Sequence, residues 1–291
     1  MRILTRPDFD GIVCAVLLKN VLSITQNIKW IQPNDIQEKK VNVLKNDIIA
    51  NLPYNNKCHL WFDHHYSNKP KKSFNGSFKI LPSAADVIYK YYKGQFSQNF
   101  NELVKQTNKI DSADLTLDEI IYPEKNPYIL LSMTISGYNF NDEFYWNYLT
   151  DQLSLNSINH IMKKNIIKHK SKNVIQNNIL YKKKLINHSY NFKHISITDF
   201  RTVKPKPNGN RFLVHSLFPQ CSVNLKIFFE KNQAIVSASK NILQTGCLVN
   251  LGKMFLNFGG GGHDGAGGCN FPKKFTDKYL DQIINILLTN K

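Results

Sequence analysis

Three short stretches of this chain hold residue types that can do chemistry together. Asp8 and Asp10 stand two apart in "TRPDFDG", just after a short apolar run. Asp63, His64 and His65 close the run "WFDHH". Asp111 lies in "NKIDSADL", near the end of a helix-like run from Glu102 to Ile110. Two carboxylates so close repel each other unless a cation lies between them or one takes a proton. Aspartate and histidine together form a hard-to-borderline ligand set, suited to Mn²⁺, Fe²⁺, Zn²⁺ or Co²⁺. A divalent ion shared by Asp8, Asp10, His64 and Asp111 would remove the repulsion.

Those residues need elements to position them. "RILTR" reads as a strand and Gly11 to Val21 as a buried helix. "IKWIQP", "DIIANLP", "CHLWFDHH" and "FKILP" read as further short strands. Ser83 is the N-cap of a helix with Asp86 in its first turn. Strands alternating with helices predict an α/β fold with a mostly parallel sheet, whose ligands bind at the carboxyl ends of the strands. Both acid clusters follow such strands.

From 126 to 190 the pattern is helical, with no acidic residue between Asp151 and Asp199 and lysines gathered between Lys163 and Lys184. "HISITDF", "RFLVHSL", "VNLKIFF" and "QAIVSAS" then read as strands, followed by a helix around Thr245 to Leu256. The expected division is a metal-binding domain over 1–125, a basic helical connector over 126–190, and a smaller mixed α/β domain over 191–291.

Residues 259–268, "GGGGHDGAGG", hold half of the 14 glycines. Glycine admits positive φ and lets backbone approach a ligand closely, so successive N–H groups there can form an anion nest. His263 would donate to a phosphate oxygen from its centre. The run lacks the Gly-Lys-Ser/Thr of a nucleotide P-loop.

Composition narrows the partners. The chain has 291 residues, is 42% hydrophobic and has a formal charge of +17, with only four arginines, Arg2, Arg6, Arg201 and Arg211. Such a hydrophobic content fits a globular protein rather than a disordered one. The positive balance suits an anionic partner, although lysine is abundant along the whole chain. No apolar run approaches the ~20 residues of a membrane span. Five cysteines without a CxxC pair, after an N-terminus lacking a cleavable-signal pattern, lead us to expect a reducing cytoplasm and no structural zinc.

In order and spacing these residues resemble the DHH phosphoesterase superfamily, in the branch with a C-terminal DHHA1 domain, over nearly the whole chain. "DFDG" is similar to its first motif, "DHH" to the third, Asp111 to the fourth, and "GGGGHDGAGG" to the DHHA1 signature. The resemblance implies a metal-dependent phosphoesterase of the nanoRNase or oligoribonuclease type, with an exopolyphosphatase or a non-catalytic nucleotide binder as alternatives. It implies Mn²⁺ held by Asp10, His64 and Asp111, a second metal site including Asp8, with Asp63 and Asn51 in the metal motifs, and His65 beside the scissile phosphate. Gly260, Gly261, Gly262 and His263 would hold the far end of a substrate, with Arg201 and Lys240 as further phosphate contacts. The implied substrate is a short single-stranded oligonucleotide, a dinucleotide or another phosphate ester, bound in the cleft between two lobes without a membrane or an obligate protein partner. Two positions depart from the pattern. Leu4 replaces a histidine ligand, and Asn51 replaces a bridging aspartate. Arg6, between Leu4 and Asp8, is expected to supply part of the positive charge of a weakened second metal.

Overall fold

The computed structural model describes residues 1–70 and 72–290. The chain divides into two compact units, Met1–Asp114 with Glu124–Ser171, and Leu115–Pro123 with Lys172–Lys291.

The first unit is built on a five-stranded, wholly parallel sheet in the order β2-β1-β3-β4-β5. Its strands are β1 (Arg2–Thr5), β2 (Lys29–Trp30), β3 (Asp47–Ala50), β4 (Leu60–Asp63) and β5 (Gly76–Phe78). Successive side chains in a strand face opposite ways. Ile3, Ile48 and Phe62 therefore enter one apolar cluster, while Leu4, Ile49 and Trp61 enter a second on the other face. The helix Phe9–Leu22 is buried from Phe9 to Leu18 and fills the first cluster. Arg2 fixes the edge of the register by donating to both Asp47 carboxylate oxygens at 2.9 and 2.7 Å.

Much of the expected connector belongs to this unit instead. Tyr145, Trp146, Leu149, Ile161 and Ile167 join the same cluster as the helix Phe9–Leu22. Burying that many large apolar side chains outweighs the solvated lysine face, at roughly 1.5–3 kcal/mol for each one removed from water. The boundary instead falls inside the helix Asn165–His188, and residues 115–123 pack with the second unit, where Asn210 donates to the Ile120 carbonyl at 3.1 Å.

The second unit has a mixed six-stranded sheet in the order β10-β11-β9-β8-β7-β6. These strands are β6 (Ser189–Phe192), β7 (Ile195–Asp199), β8 (Val223–Glu230), β9 (Gln233–Lys240), β10 (Gly261–Gly262) and β11 (Ala266–Pro272). Val223, Leu225 and Ile227 of β8 share a core with Met254, Phe255, Ile283 and Leu287 of two covering helices. "RFLVHSL" is not a strand: Leu213–Leu217 is a helix. Asn210 starts that turn, its side chain accepting from the Phe212 N–H and its carbonyl from the Leu213 N–H. A short apolar run carries too little periodicity to separate the two states. "FKILP" is likewise displaced, the strand being β5, which begins earlier. Among the described residues no helix is long and apolar enough to cross a membrane.

His215, in the helix Leu213–Leu217, is 1% exposed, and burial pushes its pKa down to about 4. The unfolded imidazole protonates near 6.5, so the stability held by the neutral ring is complete above that pH and is lost as pH falls towards 4, by on the order of 3 kcal/mol. Denaturant unfolding between pH 7 and 4 is expected to show a steeper loss for the wild type than for His215→Gln.

Candidate metal centre

Asp8 caps the helix Phe9–Leu22, its Oδ1 accepting from the Gly11 N–H at 2.8 Å. Asp10 enters the first turn of that helix and is 2% exposed. Its two oxygens accept from the backbone N–H groups of Ala84 and Ala85, each at 2.9 Å. These are the unpaired donors at the start of the helix Ala84–Tyr91, capped by Ser83. A helix N-terminus thus fixes and stabilises the buried carboxylate. Gly11 is obligatory here, because a Cβ would sit 1.9 Å from the Arg6 carbonyl oxygen.

His64 follows the end of β4. Its Nδ1 lies 2.9 Å from the Leu81 carbonyl oxygen. A carbonyl only accepts, so Nδ1 carries the proton and Nε2 presents its lone pair. That atom faces Asp111 Oδ2 at 3.3 Å and Asp10 Oδ2 at 3.9 Å, and it is buried with no hydrogen-bond partner among the described residues. A lone pair aimed at two carboxylates is repelled by both unless a cation sits among them. Asp111 reaches the group from the last residue of the helix Asn101–Asp111. Ligand atoms of Asp10, His64 and Asp111 lie within 4.8 Å of one another, as do those of Asp63, His64 and His65. The orphaned nitrogen and the O,O,N donor set fit a divalent ion. The backbone carbonyl on Nδ1 is the kind of outer contact that orients a metal-binding imidazole.

Asp63 is fully buried and spends its oxygens on its own loop. Oδ1 takes the His64 N–H at 2.9 Å and meets His65 Nδ1 at 2.8 Å, and Oδ2 accepts from Asn68 at 2.6 Å. It therefore orients His65. Burial alone would lower the His65 pKa, but the hydrogen bond and charge of Asp63, with Asp10 and Asp8 behind it, raise it on balance.

The Asp8 side is arranged differently. Arg6 Nε lies 3.2 Å from Asp8 Oδ2, and the Asn51 amide donates to Asp8 Oδ1 at 3.0 Å. Burial raises the Asp8 pKa; Arg6 opposes this and Asp10 adds to it. Asn51 is 2% exposed at φ 56°, and its Oδ1 has no hydrogen-bond partner among the described residues. Leu4 is wholly buried in the apolar cluster on the far face of the sheet from Ile3. A cavity of about 150 Å³ opens beside Asp8, lined by Arg6, Gln32, Ser132 and the exposed ring of Tyr138, among others.

In the second unit, the glycine run is a tight hairpin rather than an open nest. Gly261 and Gly262 pair with Gly268 and Gly267. The Gly260 and His263 N–H groups are spent on the Phe255 and Ala266 carbonyls. Gly262, at φ 150°, would put a Cβ 2.3 Å from the Ala266 carbonyl oxygen. Lys240 donates to Asp264 of this hairpin at 2.7 Å. Arg201 is held by Asp199 through Nε and Nη2, the latter at 2.6 Å, which leaves little of its fork for a phosphate. Arg201 and Asp199, with His188, Tyr190 and Phe229, line an open hollow of about 630 Å³.

No family model matches the sequence, and no curated protein does. The structure is similar over 100% of this chain and 99% of the other to a pGpG-specific phosphodiesterase from Vibrio cholerae, with 29% identity and a TM-score of 0.84. Over its whole length the chain resembles the DHH family. Its two sheets and their helices match the two-domain DHH/DHHA1 fold. Two further likenesses show the fold alone. One is an exopolyphosphatase-related protein from Bacteroides fragilis, at TM-score 0.54 and 12% identity over 98% of this chain and 91% of that one. The other is RecJ with Mn²⁺ from Thermus thermophilus, at 0.59 and 11% over 99% and 52%.

The sequence did not reveal Leu81, Ala84, Ala85 or Asn68, which hold the site residues through backbone or amide groups. The Ser83 cap signalled a helix start, but not that its N–H groups serve Asp10. Asn51→Asp replaces the amide donor to Asp8 with a second charge. In EDTA at pH 7 it is expected to destabilise the fold by about 1–3 kcal/mol, recovered when Mn²⁺ is added; urea unfolding with and without metal checks this.

Proposed function

We propose that this protein is a metal-dependent phosphodiesterase acting on dinucleotides or very short oligonucleotides. The observation that carries this reading is His64, its Nδ1 committed to the Leu81 carbonyl and its bare, buried Nε2 facing Asp10 and Asp111. Asp10, His64 and Asp111 would hold one divalent ion, with Mn²⁺ the first choice. When bound, the ion supplies a Lewis acid and the acidity that makes water a nucleophile near neutral pH.

The chain's own residues supply the rest. The backbone N–H groups of Ala84 and Ala85 at the helix N-terminus hold Asp10 in place. Asp63 holds the His65 ring so that it can donate a proton to a phosphoryl or leaving-group oxygen. Arg6 lies against Asp8, and its guanidinium would offer donors to the phosphoryl oxygens. Asn51 and Leu4 leave that half of the centre poor in ligands, so one ion would be held firmly. The cavity beside Asp8 would take the group flanking the scissile phosphate. His263 and Lys240 are the anion contacts proposed for the second unit, Lys240 sharing its charge with Asp264. Support for a dinucleotide substrate comes from the Vibrio cholerae relative, which is specific for pGpG.

Hydrolysis of pGpG, a five-nucleotide RNA, 3′-phosphoadenosine 5′-phosphate and polyphosphate should be compared with added Mn²⁺. Cleavage of pGpG is expected, falling at least about 100-fold in Asp10→Ala and His64→Ala. Equal inertness of wild type and variants on all substrates would leave a binding protein. Elemental analysis is expected to find one tightly bound Mn²⁺ per chain, and two would remove Arg6 from its assigned role.

A further inference from the structure

The cavity beside Asp8 lies past the carboxyl ends of two strands, since Arg6 and Asp8 follow β1 and Gln32 follows β2. In an open parallel sheet that is where ligands enter. Its remaining wall comes from far along the chain, from the segment 132–138.

That segment is pinned. The Ile135 N–H donates to the Ser132 carbonyl at 3.2 Å, and the Gln32 side-chain amide donates to the Gly137 carbonyl. Gly137 comes so close to the end of β1 that a Cβ there would stand 2.7 Å from the Pro7 carbonyl oxygen. Just beyond, Phe140 packs edge-on against the buried Trp146, with ring centres 5.4 Å apart. Between these anchors Tyr138 keeps its ring 82% exposed, at the rim of the cavity.

A single exposed tyrosine is ordinary on a protein surface. This one sits on an already ordered loop, so little further ordering would oppose a ligand that uses it. The cavity also has an apolar floor, made by the buried Pro7 and Phe9 and the half-buried Ile135. An apolar space of about 150 Å³, the size found here, is enough for one aromatic ring. A phosphate group would lose hydration against such a floor, whereas a flat heterocycle would not.

The geometry points to Tyr138 as a nucleobase platform: a base next to the scissile phosphate stacks on its ring, in the same cavity that Arg6 lines. The inference rests on the phosphodiesterase reading and narrows its substrate class to nucleotides, since inorganic polyphosphate has nothing to offer the ring. Stacking asks for a π-face and no particular edge contact, so the platform accepts any base.

A 5′-phosphorylated dinucleotide carrying 2-aminopurine, placed in turn at either position, reports stacking as a loss of fluorescence. The full-length protein is titrated in EDTA and again with Ca²⁺ in place of Mn²⁺. Wild type is expected to quench the probe at one of the two positions. Tyr138→Leu should lose the quench and bind about tenfold more weakly. Tyr138→Phe and Tyr138→Trp keep a ring and should retain both properties, which separates stacking from simple apolar packing. The same dinucleotide with that base replaced by hydrogen should bind wild type about as weakly as the fluorescent one binds Tyr138→Leu. No quenching by wild type, quenching kept in Tyr138→Leu, or an equal loss in Tyr138→Phe overturns the assignment. Cleavage with Mn²⁺ but no Tyr138-dependent quenching keeps the phosphodiesterase reading and removes the platform. Tyr138-dependent quenching by a protein that cleaves neither probe does the reverse.

Discussion

A single proton position governs the first unit's chemistry. The Leu81 carbonyl can only accept, so it pins the His64 proton to Nδ1 and turns the lone pair of Nε2 towards Asp10 and Asp111. Among the described residues, no group hydrogen-bonds that atom. The surroundings then become intelligible as supports. The start of one helix grips Asp10, the end of another presents Asp111, and Asp63 freezes the loop that carries both histidines. Each support uses a backbone terminus or a buried hydrogen bond, which is stiffer than a solvated side chain.

The neighbouring carboxylate is treated in the opposite way. Asp8 receives an N–H, an amide and a guanidinium from Gly11, Asn51 and Arg6. Its charge is answered by protein groups, whereas the Asp10 cluster keeps an unanswered nitrogen. The two halves of the centre therefore ask for different amounts of external positive charge. Leu4 completes the contrast, since it serves the apolar cluster beneath the sheet and offers no ligand atom.

The second unit shows how little a glycine run says about binding by itself. Its glycines are needed because backbone packs on backbone. A Cβ on Gly260 would meet the Gly268 carbonyl oxygen at 2.1 Å, and one on Gly252 the Gly262 carbonyl oxygen at 2.4 Å. The charges nearby are mostly matched, with Lys240 on Asp264 and Arg201 on Asp199.

The sequence alone determined the alternating strands and helices of the first unit and the Ser83 cap, because period-two and helical patterning and capping are local. It could not decide between strand and helix for Leu213–Leu217, where a short apolar run fits both. Nor could it assign residues 126–171 to the first unit, because that depends on Trp146 and Leu149 finding the helix Phe9–Leu22 from far along the chain. Tertiary structure alone decided that Arg201 is spent on Asp199, that Asp63 orients His65, and that His64 points a bare nitrogen at two acids. Those outcomes rest on hydrogen-bond direction and on distances between groups, and residue spacing carries neither.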